Sequence, residues 1–309
     1  MPRTVIAQTK SRCEESLRQP EMIETAQAVG QTGTSDNACA AMIQGITEAA
    51  SSKESVRVLK SSVGRYGIND QDKTLERFLV LKAAVRSLDE LDTMRVSAAV
   101  KQLFCEEFML FAQPDEATKA RLCIEHDGFT ARCKFASLRR FPAGAMDWEI
   151  SGLPKSYLAR VAPASLPQAA YFVAAKMRGF APAFFIHLGA HPKKSRLLIE
   201  KEVNKSFYRM AQSIELQPEM KGLVASSWLH SPDTHAVSPH LAWLNQTFQN
   251  SGAFICVMGA ASPDSGVFHR SPERRKLYEA GQFKPSTGLI LWPRQKMLEW
   301  AAQHTELGD

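Results

Sequence analysis

Hydrophobic and polar positions change between strand spacing and helical spacing most clearly over residues 221–293. Short apolar runs, typical of buried strands, alternate here with segments whose apolar residues recur every three or four positions. The pattern predicts strands at 222–228, 253–260 and 287–292 and helices at 239–250 and 272–280. A polar loop containing His230, Asp233 and His235 separates the first strand from the first helix. This alternation predicts an α/β layer.

Local signals mark the ends of both helices. Ser238-Pro239 and Ser271-Pro272 each place a capping hydroxyl before a proline at the first helical position, where the missing N–H has no cost. Gly281 can adopt the left-handed conformation that ends the second helix.

Upstream of this layer, residues 180–188 form a nearly continuous apolar run between two glycines, which favours a buried central strand. His187, His191 and the pair Lys193-Lys194 lie at its exit, where ligand groups of open α/β sheets collect. Helical spacing follows, with inward positions at Val203, Phe207, Met210 and Ile214.

The first half of the chain has different patterns. Residues 1–70 are rich in Ser, Thr, Gln, Ala and Gly, which predicts a mobile leader with one or two short helices. Apolar stripes from residue 72 to Pro114 predict a helical hairpin, and the Asp127-Gly128 turn within 121–136 predicts two antiparallel strands. We therefore expect a leader at 1–70, a helical hairpin with strands at 71–160, and an α/β domain at 161–309.

These elements predict the α/β (α+β) class, with a mixed central sheet flanked by helices and a helical N-terminal region. The chain of 309 residues is 44% apolar and 23% charged, which is typical of a soluble globular protein. No apolar run approaches the roughly 20 residues of a membrane span, and no hydrophobic signal segment is visible, so we expect a cytoplasmic protein.

The six cysteines are dispersed without a CxxC pair, which favours buried free thiols. Cys123 and Cys133 flank the predicted hairpin and would be able to face each other.

A net charge of +6 permits an acidic partner, such as an anionic cofactor or an acidic carrier protein. The basic residues are scattered in groups too short for a nucleic-acid stripe, so we expect no nucleic-acid partner.

Residues 139–149 contain a Pro-Ala-Gly kink that lets the backbone approach a ligand closely. Arg139 and Arg140 are candidate anion contacts, and Asp147 or Glu149 is a candidate carboxylate contact for a substrate. The alternative interpretation is a loop that leads into a strand at 146–151.

Six of the eight histidines lie between His187 and His269. A metal or haem site would need three or four converging ligands, but neither HExxH nor HxH is present, so no metal ligands are assigned. A metal- or haem-dependent oxygenase that uses this group remains an alternative function.

The end of the 222–228 strand carries Ser227, Trp228 and then His230. His230 is a candidate general base, because an imidazole titrates near neutral pH, and Ser227 and Trp228 are candidate catalytic and substrate contacts. The chain lacks the Gly-x-Ser-x-Gly turn of a serine nucleophile, and the alternative for His230 is a loop histidine that caps the strand.

The string from Ser271 to Pro285, followed by a strand, resembles the closing unit of the GCN5-related N-acetyltransferase (GNAT) family, in which R-x-L-Y-E-x-x-G-F precedes a strand. The resemblance covers about the last 90 residues of the chain. It implies that 222–228 is the splayed central strand, that 239–250 is the next helix and that 253–260 is the next strand. It also implies that Tyr278 lies near the sulfur of coenzyme A and protonates the departing thiolate.

The family holds pyrophosphate in a glycine-containing loop, whereas the junction at 230–239 has no glycine and contains Asp233. Divergent members without the loop take acyl groups from an acyl carrier protein. A basic chain suits that acidic donor, with Arg274, Arg275 and Lys276 as candidate contacts, the alternative being a solvated helix face.

The leading hypothesis is an acyltransferase that moves an acyl group from an acyl-CoA or acyl carrier protein thioester to a small-molecule amine. His230 or a nearby carboxylate would deprotonate the amine, backbone N–H groups at 222–228 would polarise the carbonyl, and Tyr278 would protonate the thiolate. The thioester would be a co-substrate, with no tightly bound cofactor. A non-catalytic protein that binds a ligand at 141–149 is a further alternative.

Overall fold

The computed structural model describes residues 3–30, 35–48, 54, 57–58, 61, 74–114, 129–188, 198–261, 267–268 and 271–308. The fold is α+β, with a mixed six-stranded sheet flanked by helices and preceded by a helical N-terminal region, as predicted. The chain divides into two compact units, the first within Met1–Ala145 and the second formed by Met146–Leu188 and Leu197–Asp309.

The described part of the first unit is helical apart from the short strand β1 (Arg140–Pro142). Its helices are α1 (Arg3–Leu17), α2 (Pro20–Gly30), α3 (Ser35–Glu48), α4 (Thr74–Leu91), α5 (Ala98–Ala112) and α6 (Phe129–Ala136).

Helices α4 and α5 form the helical pair that the apolar stripes predict. Ser97 caps α5, because its hydroxyl accepts a hydrogen bond from the Val100 N–H at 3.4 Å. Leu79, Phe104 and Phe108 are fully buried, and the rings of the two phenylalanines lie 5.7 Å apart. These side chains form the core of the first unit.

Residues 3–30 and 35–48 form three helices with buried faces, where composition predicts one or two short helices. Cys13, Met22 and Ile46 are fully buried, and α1 packs against α4 and α5. Few large apolar residues are needed because small side chains allow helices to approach closely, which a count of large hydrophobic residues does not register.

The predicted hairpin at 121–136 is wrong where the structure describes it. Phe129–Ala136 is helix α6, and the first strand and its turn lie outside the described residues. Phe129, Cys133 and Ala136 are buried at helical spacing, and the Ser87 hydroxyl donates to the Ala136 carbonyl at 2.6 Å. Packing against α4 therefore overrides the local turn signal.

A buried ion pair lies inside the first unit. Nη1 of Arg132 on α6 donates to Oε2 of Glu107 on α5 at 2.5 Å, with side-chain exposures of 2% and 5%. Both charges have left water, and their pairing offsets part of the cost of that burial.

Glu107→Ala is expected to destabilise the first unit by about 3–5 kcal/mol, because it removes a carboxylate that compensates the buried guanidinium. The double variant Glu107→Leu with Arg132→Met is expected to recover most of that loss, since well-packed apolar residues replace both charges. Urea unfolding measures both. A double variant less stable than Glu107→Ala would contradict this account.

The second unit is built on five strands, which are β2 (Met146–Ser151), β3 (Ala183–Leu188), β4 (Gly222–Ser227), β5 (Phe254–Ala260) and β6 (Ser286–Pro293). The sheet order is β1-β2-β3-β4-β6-β5, so β6 is inserted between β4 and β5. β3 and β4 are parallel, whereas the β2–β3, β4–β6 and β5–β6 pairs are antiparallel.

The helices of the second unit are α7 (Lys155–Arg160), α8 (Leu166–Tyr171), α9 (Glu200–Glu215), α10 (Pro232–Val237), α11 (Trp243–Asn250), α12 (Pro272–Glu279) and α13 (Arg294–Gln303). The strands predicted at 222–228, 253–260 and 287–292 and the helix at 272–280 are confirmed within one or two residues. The helix predicted at 239–250 is instead a 3-10 turn followed by α11.

Each face of the sheet is covered by its own apolar layer. On the first face, Val224, Cys256 and Leu289 pack with Val173 and Met177 of the segment 153–177. On the second face, the rings of Phe207, Phe248, Trp292 and Trp300 join α9, α11, β6 and α13. Because successive strand residues point to opposite faces, neighbouring polar residues at a strand end reach different layers.

The five described cysteines, Cys13, Cys39, Cys105, Cys133 and Cys256, are free and buried, as the dispersed pattern predicts. Burial raises the pKa of Cys133 and raises that of Cys256 to about 11, so these thiols stay protonated at neutral pH. None of the described helices has the length and apolarity needed to cross a membrane.

Candidate functional site

The candidate site lies at the C-terminal ends of the parallel strands β3 and β4. Their pairing covers only Phe184↔Leu223 and Phe185↔Val224, although both strands continue for up to three more residues. Along these extensions, the outer edge of β3 pairs with β2 and the outer edge of β4 pairs with β6. Along the edges that face each other, residues 186–188 and 225–227 have no strand partner within the described chain.

A histidine and a carboxylate meet at the end of β3. Nε2 of His187 lies 3.2 Å from Oε1 of Glu149 on β2 and is closed to solvent, while 31% of the histidine side chain remains exposed. The oxygen lies off the N–H direction, so the contact is an electrostatic pairing and not an aligned hydrogen bond. The His187 ring also contacts Phe185 at 5.3 Å, which restricts its tilt.

Ser226 and Ser227 reach opposite faces of the sheet. Val224 and Phe185 lie on the first face of the sheet. Ser226 and His187 each follow two positions later on the same strand, so they share that face. Ser227 reaches the second face, and its hydroxyl accepts from the Leu229 N–H at 3.2 Å. The Ser227 hydroxyl thus caps the 3-10 turn Trp228–His230.

His230 is 4% exposed, so the prediction of a reachable loop histidine is wrong. Its Nδ1–H donates to Oδ1 of Asn245 at 3.1 Å, while Nδ2 of Asn245 donates to the His230 carbonyl at 3.2 Å. Its ring meets Phe248 edge-on at 5.6 Å. His230 packs closely over Gly288. A Cβ atom at position 288 would lie 2.6 Å from the His230 carbonyl oxygen.

Burial lowers the pKa of His230 to about 4, which the hydrogen bond that its ring donates to Asn245 only partly opposes. A neutral ring is therefore part of the folded state at pH 7. The observed geometry agrees with the alternative interpretation from the sequence, in which His230 is a loop histidine that caps the strand.

The buried His230 is expected to make the second unit less stable in acid. Its ordinary pKa is 6.5, so the unfolded chain binds a proton that the folded chain does not, and stability is lost as pH falls from 6.5 towards 4. The loss at pH 4.5 is roughly 2–3 kcal/mol relative to pH 7.

Urea unfolding at several pH values tests this, with His230→Gln expected to flatten the decline. His240→Gln is the matched control, because His240 is exposed. Equal pH dependence in wild type and His230→Gln would contradict the assignment.

Trp228 anchors a cluster beyond the end of β4. It packs with Leu277 against Val267, Phe268 and Phe283, and this joins α12 to the turn after β4. The cluster fixes where α12 begins, together with the Ser271 hydroxyl, which accepts from the Arg274 N–H at 3.2 Å.

Arg274 takes part in this structural contact, which disagrees with its predicted role at an anionic donor. Its guanidinium lies 4.7 Å from the centre of the Trp228 ring, and Nε donates to the Val267 carbonyl at 2.8 Å. Nη1 also donates to the Ser238 hydroxyl at 3.3 Å, and burial lowers the pKa of Arg274. Arg275 and Lys276 are exposed, so donor binding by these two residues stays a prediction.

Arg274→Ala is expected to destabilise the second unit by roughly 1–3 kcal/mol, because it removes the stacked cation and leaves a buried carbonyl without its donor. Arg275→Ala, the adjacent exposed position, is expected to stay within about 0.5 kcal/mol of wild type. Thermal unfolding of both variants measures the difference. Similar losses for the two would rule out the buried contact as the cause.

Tyr278 is 41% exposed, and its ring lies 4.8 Å from Phe268. Since Phe268 belongs to the cluster that also holds Trp228, one aromatic side chain separates Tyr278 from the residue after β4. The Tyr278 ring therefore lies beside the cluster that Trp228 joins after β4.

The predicted contacts at 139–149 have different surroundings. Arg139 is exposed and pairs with Glu48 at 3.3 Å, and the Arg140 guanidinium lies 5.6 Å from the Phe135 ring, both within the first unit. Asp147 and Glu149 belong to β2, and Asp147, which is 3% exposed, lies directly opposite His187. The strand predicted at 146–151 is confirmed.

The histidine-rich stretch does not form a metal centre in the part of the chain that the structure describes, since no three His, Cys, Asp or Glu side chains converge there. His235 donates from Nε2 to the Leu229 carbonyl at 2.8 Å. His191, Lys193-Lys194 and His269 lie outside the described residues.

Sequence reasoning named His187 and Glu149 separately but did not bring them together. They are 38 positions apart, and their meeting depends on the antiparallel β2–β3 register, Asp147↔His187. The alternation of apolar and charged residues in Met146–Ser151, beside the 180–188 strand, was the available signal.

No protein-family model matches the chain, and no curated protein matches its sequence. Among solved structures, an acyltransferase in complex with decanoyl-CoA is 13% identical with a TM-score of 0.44, covering 71% of this chain, which spans 66% of that protein. An acyltransferase with decanoyl-CoA and teicoplanin is 12% identical with a TM-score of 0.49, covering 90% of this chain and 86% of the other. At TM-scores below 0.5 this likeness carries no argument about the present site.

Proposed function

We propose that this chain is an acyltransferase that moves an acyl group from a thioester, carried by coenzyme A or an acyl carrier protein, to a small-molecule amine. The observation that carries the proposal is the parting of β3 and β4. The parallel pairing ends at Phe185 and Val224 while the strands continue, with β6 inserted beside β4. A splayed strand at 222–228 is what the family resemblance implies.

The parting suits an extended, amide-containing ligand. Alternate backbone N–H and C=O groups along 186–188 and 225–227 face the gap, where no described strand pairs with them. The pantetheine arm of CoA and of acyl carrier proteins carries two amides, which can pair with such edges in the manner of an added strand. A strand N–H beside the thioester oxygen would stabilise the negative charge that develops there.

Tyr278 is proposed as the acid that protonates the departing thiolate. It is exposed, and its ring packs on the cluster that carries Trp228 at the end of β4. His230 does not serve as the base in this proposal, because burial and its lowered pKa keep it neutral and closed to an amine.

Arg275 and Lys276 are proposed to attract the donor. Both are exposed on α12, the helix that carries Tyr278, and the whole chain has a net charge of +6. The phosphates of CoA and the acidic surface of a carrier protein are both anionic, so the same cations serve either donor.

Incubation of the purified chain with n-butylamine and a series of donors, from acetyl-CoA to decanoyl-CoA and the matching acyl carrier proteins, tests the function. The expected result is enzyme-dependent release of free thiol with formation of the butylamide, detected by mass spectrometry. Preference between the two donor series identifies the carrier. The absence of both thiol release and amide formation with every donor would overturn the proposal.

Tyr278→Phe is expected to lower the rate of acyl transfer by roughly 10²-fold, because it removes a positioned proton donor. A thiophenyl ester, whose thiolate leaves without protonation, is expected to react at a similar rate with wild type and variant. Tyr171→Phe is the matched control, since Tyr171 is exposed on α8 and its ring contacts an aromatic neighbour, Phe172, at 6.2 Å. An equal loss with both thioesters would argue against Tyr278 as the acid.

A further inference from the structure

We infer that His187, oriented by Glu149, is the general base that takes the proton from the acceptor amine, which places the acceptor on the first face of the sheet, at the C-terminal end of β3. This inference rests on the proposed acyl transfer and adds the group and the side of the sheet to it. The supporting observation is the 3.2 Å approach of His187 Nε2 to Glu149 Oε1 beside the parting of β3 and β4.

The two ring nitrogens of His187 have different surroundings. Nε2 is closed to solvent and faces the Glu149 carboxylate, whereas nearly a third of the side chain is exposed. Nδ1 is therefore the nitrogen left to accept a proton. The carboxylate lies close enough to stabilise the imidazolium that forms through its charge, without the aligned hydrogen bond that supports histidine in hydrolases.

Proximity to the reacting carbon follows from the register. Phe185 is the last residue of β3 that pairs with β4, and His187 follows two positions later on the same face. It therefore lies at the gap that would hold the thioester. Ser226 points to this same face from β4, so the acceptor pocket would have polar groups on both sides.

Within the part of the chain that the structure describes, the neighbours of His187 include two acidic residues. Glu149 and Asp147 face it from β2, and Asp147 is its direct cross-strand partner. On β4 the residues of this face are Val224 and Ser226, and Tyr157 of α7 contacts the Phe185 ring at 6.3 Å. A carboxylate at this position would attract an amine substrate towards the site.

Acyl transfer needs no reactant besides the donor thioester and the acceptor amine. The amine nitrogen attacks the thioester carbonyl carbon, its proton passes to Nδ1 of His187, and the C–N bond replaces the C–S bond. The thiolate takes a proton from Tyr278, the Tyr278 phenolate regains a proton from solvent, and His187 releases its proton to solvent.

His187→Gln and His187→Ala are tested with n-butylamine and the acyl-CoA that gives the fastest transfer. The expected result is a 10²- to 10⁴-fold fall in kcat/KM for the amine, with loss of the acidic limb of the pH profile and unchanged donor KM. Imidazole in solution is expected to restore part of the His187→Ala rate. His240→Ala, at an exposed histidine, is the control.

Trifluoroethylamine separates a base from a merely structural residue. Its conjugate acid is much stronger than that of butylamine, so it needs less help in losing its proton, and the deficit of His187→Ala is expected to shrink with it. Glu149→Gln is expected to shift the acidic limb and to lower kcat more than donor KM.

The outcomes distinguish the assignment of His187 as the base from the proposed acyl transfer itself. Wild type that transfers acyl groups, with His187 variants that keep both rate and acidic limb, would overturn the base assignment alone. Equal deficits with the two amines, without rescue by imidazole, would also overturn it. Wild type without any transfer would overturn the acyltransferase proposal and this inference together.

Discussion

The structure of the second unit depends on a parallel strand pair that is held together at one end only. β3 and β4 share two residues of register, yet each is fixed along its outer edge by β2 or β6. The two apolar layers, one around Val224 and Leu289 and one around Phe207 and Trp292, hold the strands at both faces. The gap is thus a consequence of how the neighbours pack, and it leaves peptide groups that water or a ligand must satisfy.

Strand alternation divides the chemistry of this region between two sides. One side carries His187, Glu149 and Ser226, and the other carries Ser227 and His230. His230 is enclosed by Asn245 and Phe248, so its polarity is used to fasten a turn. His187 keeps a partly exposed ring beside a carboxylate, so its polarity stays available.

The elements that sequence predicted well carry their own local signals. Helix α12 has its Ser-Pro start and Gly281 at a φ of 71°, and α9 buries the four residues that the spacing marks as inward. Helix α6, where the sequence predicted the second strand of a hairpin, shows the limit, because contacts with α4 and α5 decide its conformation.

The site was predictable only in part for a similar reason. Local sequence identifies polar residues near strand ends, but it does not reveal which face they reach or whether a neighbouring helix covers them. The burial of His230 depends on α11, and the stacking of Arg274 depends on where Trp228 packs after the strand. The meeting of His187 with Glu149 depends on antiparallel register between strands 38 positions apart.

The buried thiols give each unit an internal reporter of its own opening. Cys256 is the single cysteine of residues 146–309, and it lies in the apolar layer of the first face, whereas Cys133 lies in the core of the first unit. A thiol reagent reacts with such a residue only when its surroundings open, since burial keeps it protonated and inaccessible. Alkylation rates at these two positions, read by peptide mass spectrometry, thus give separate opening free energies for the two units without any engineered label.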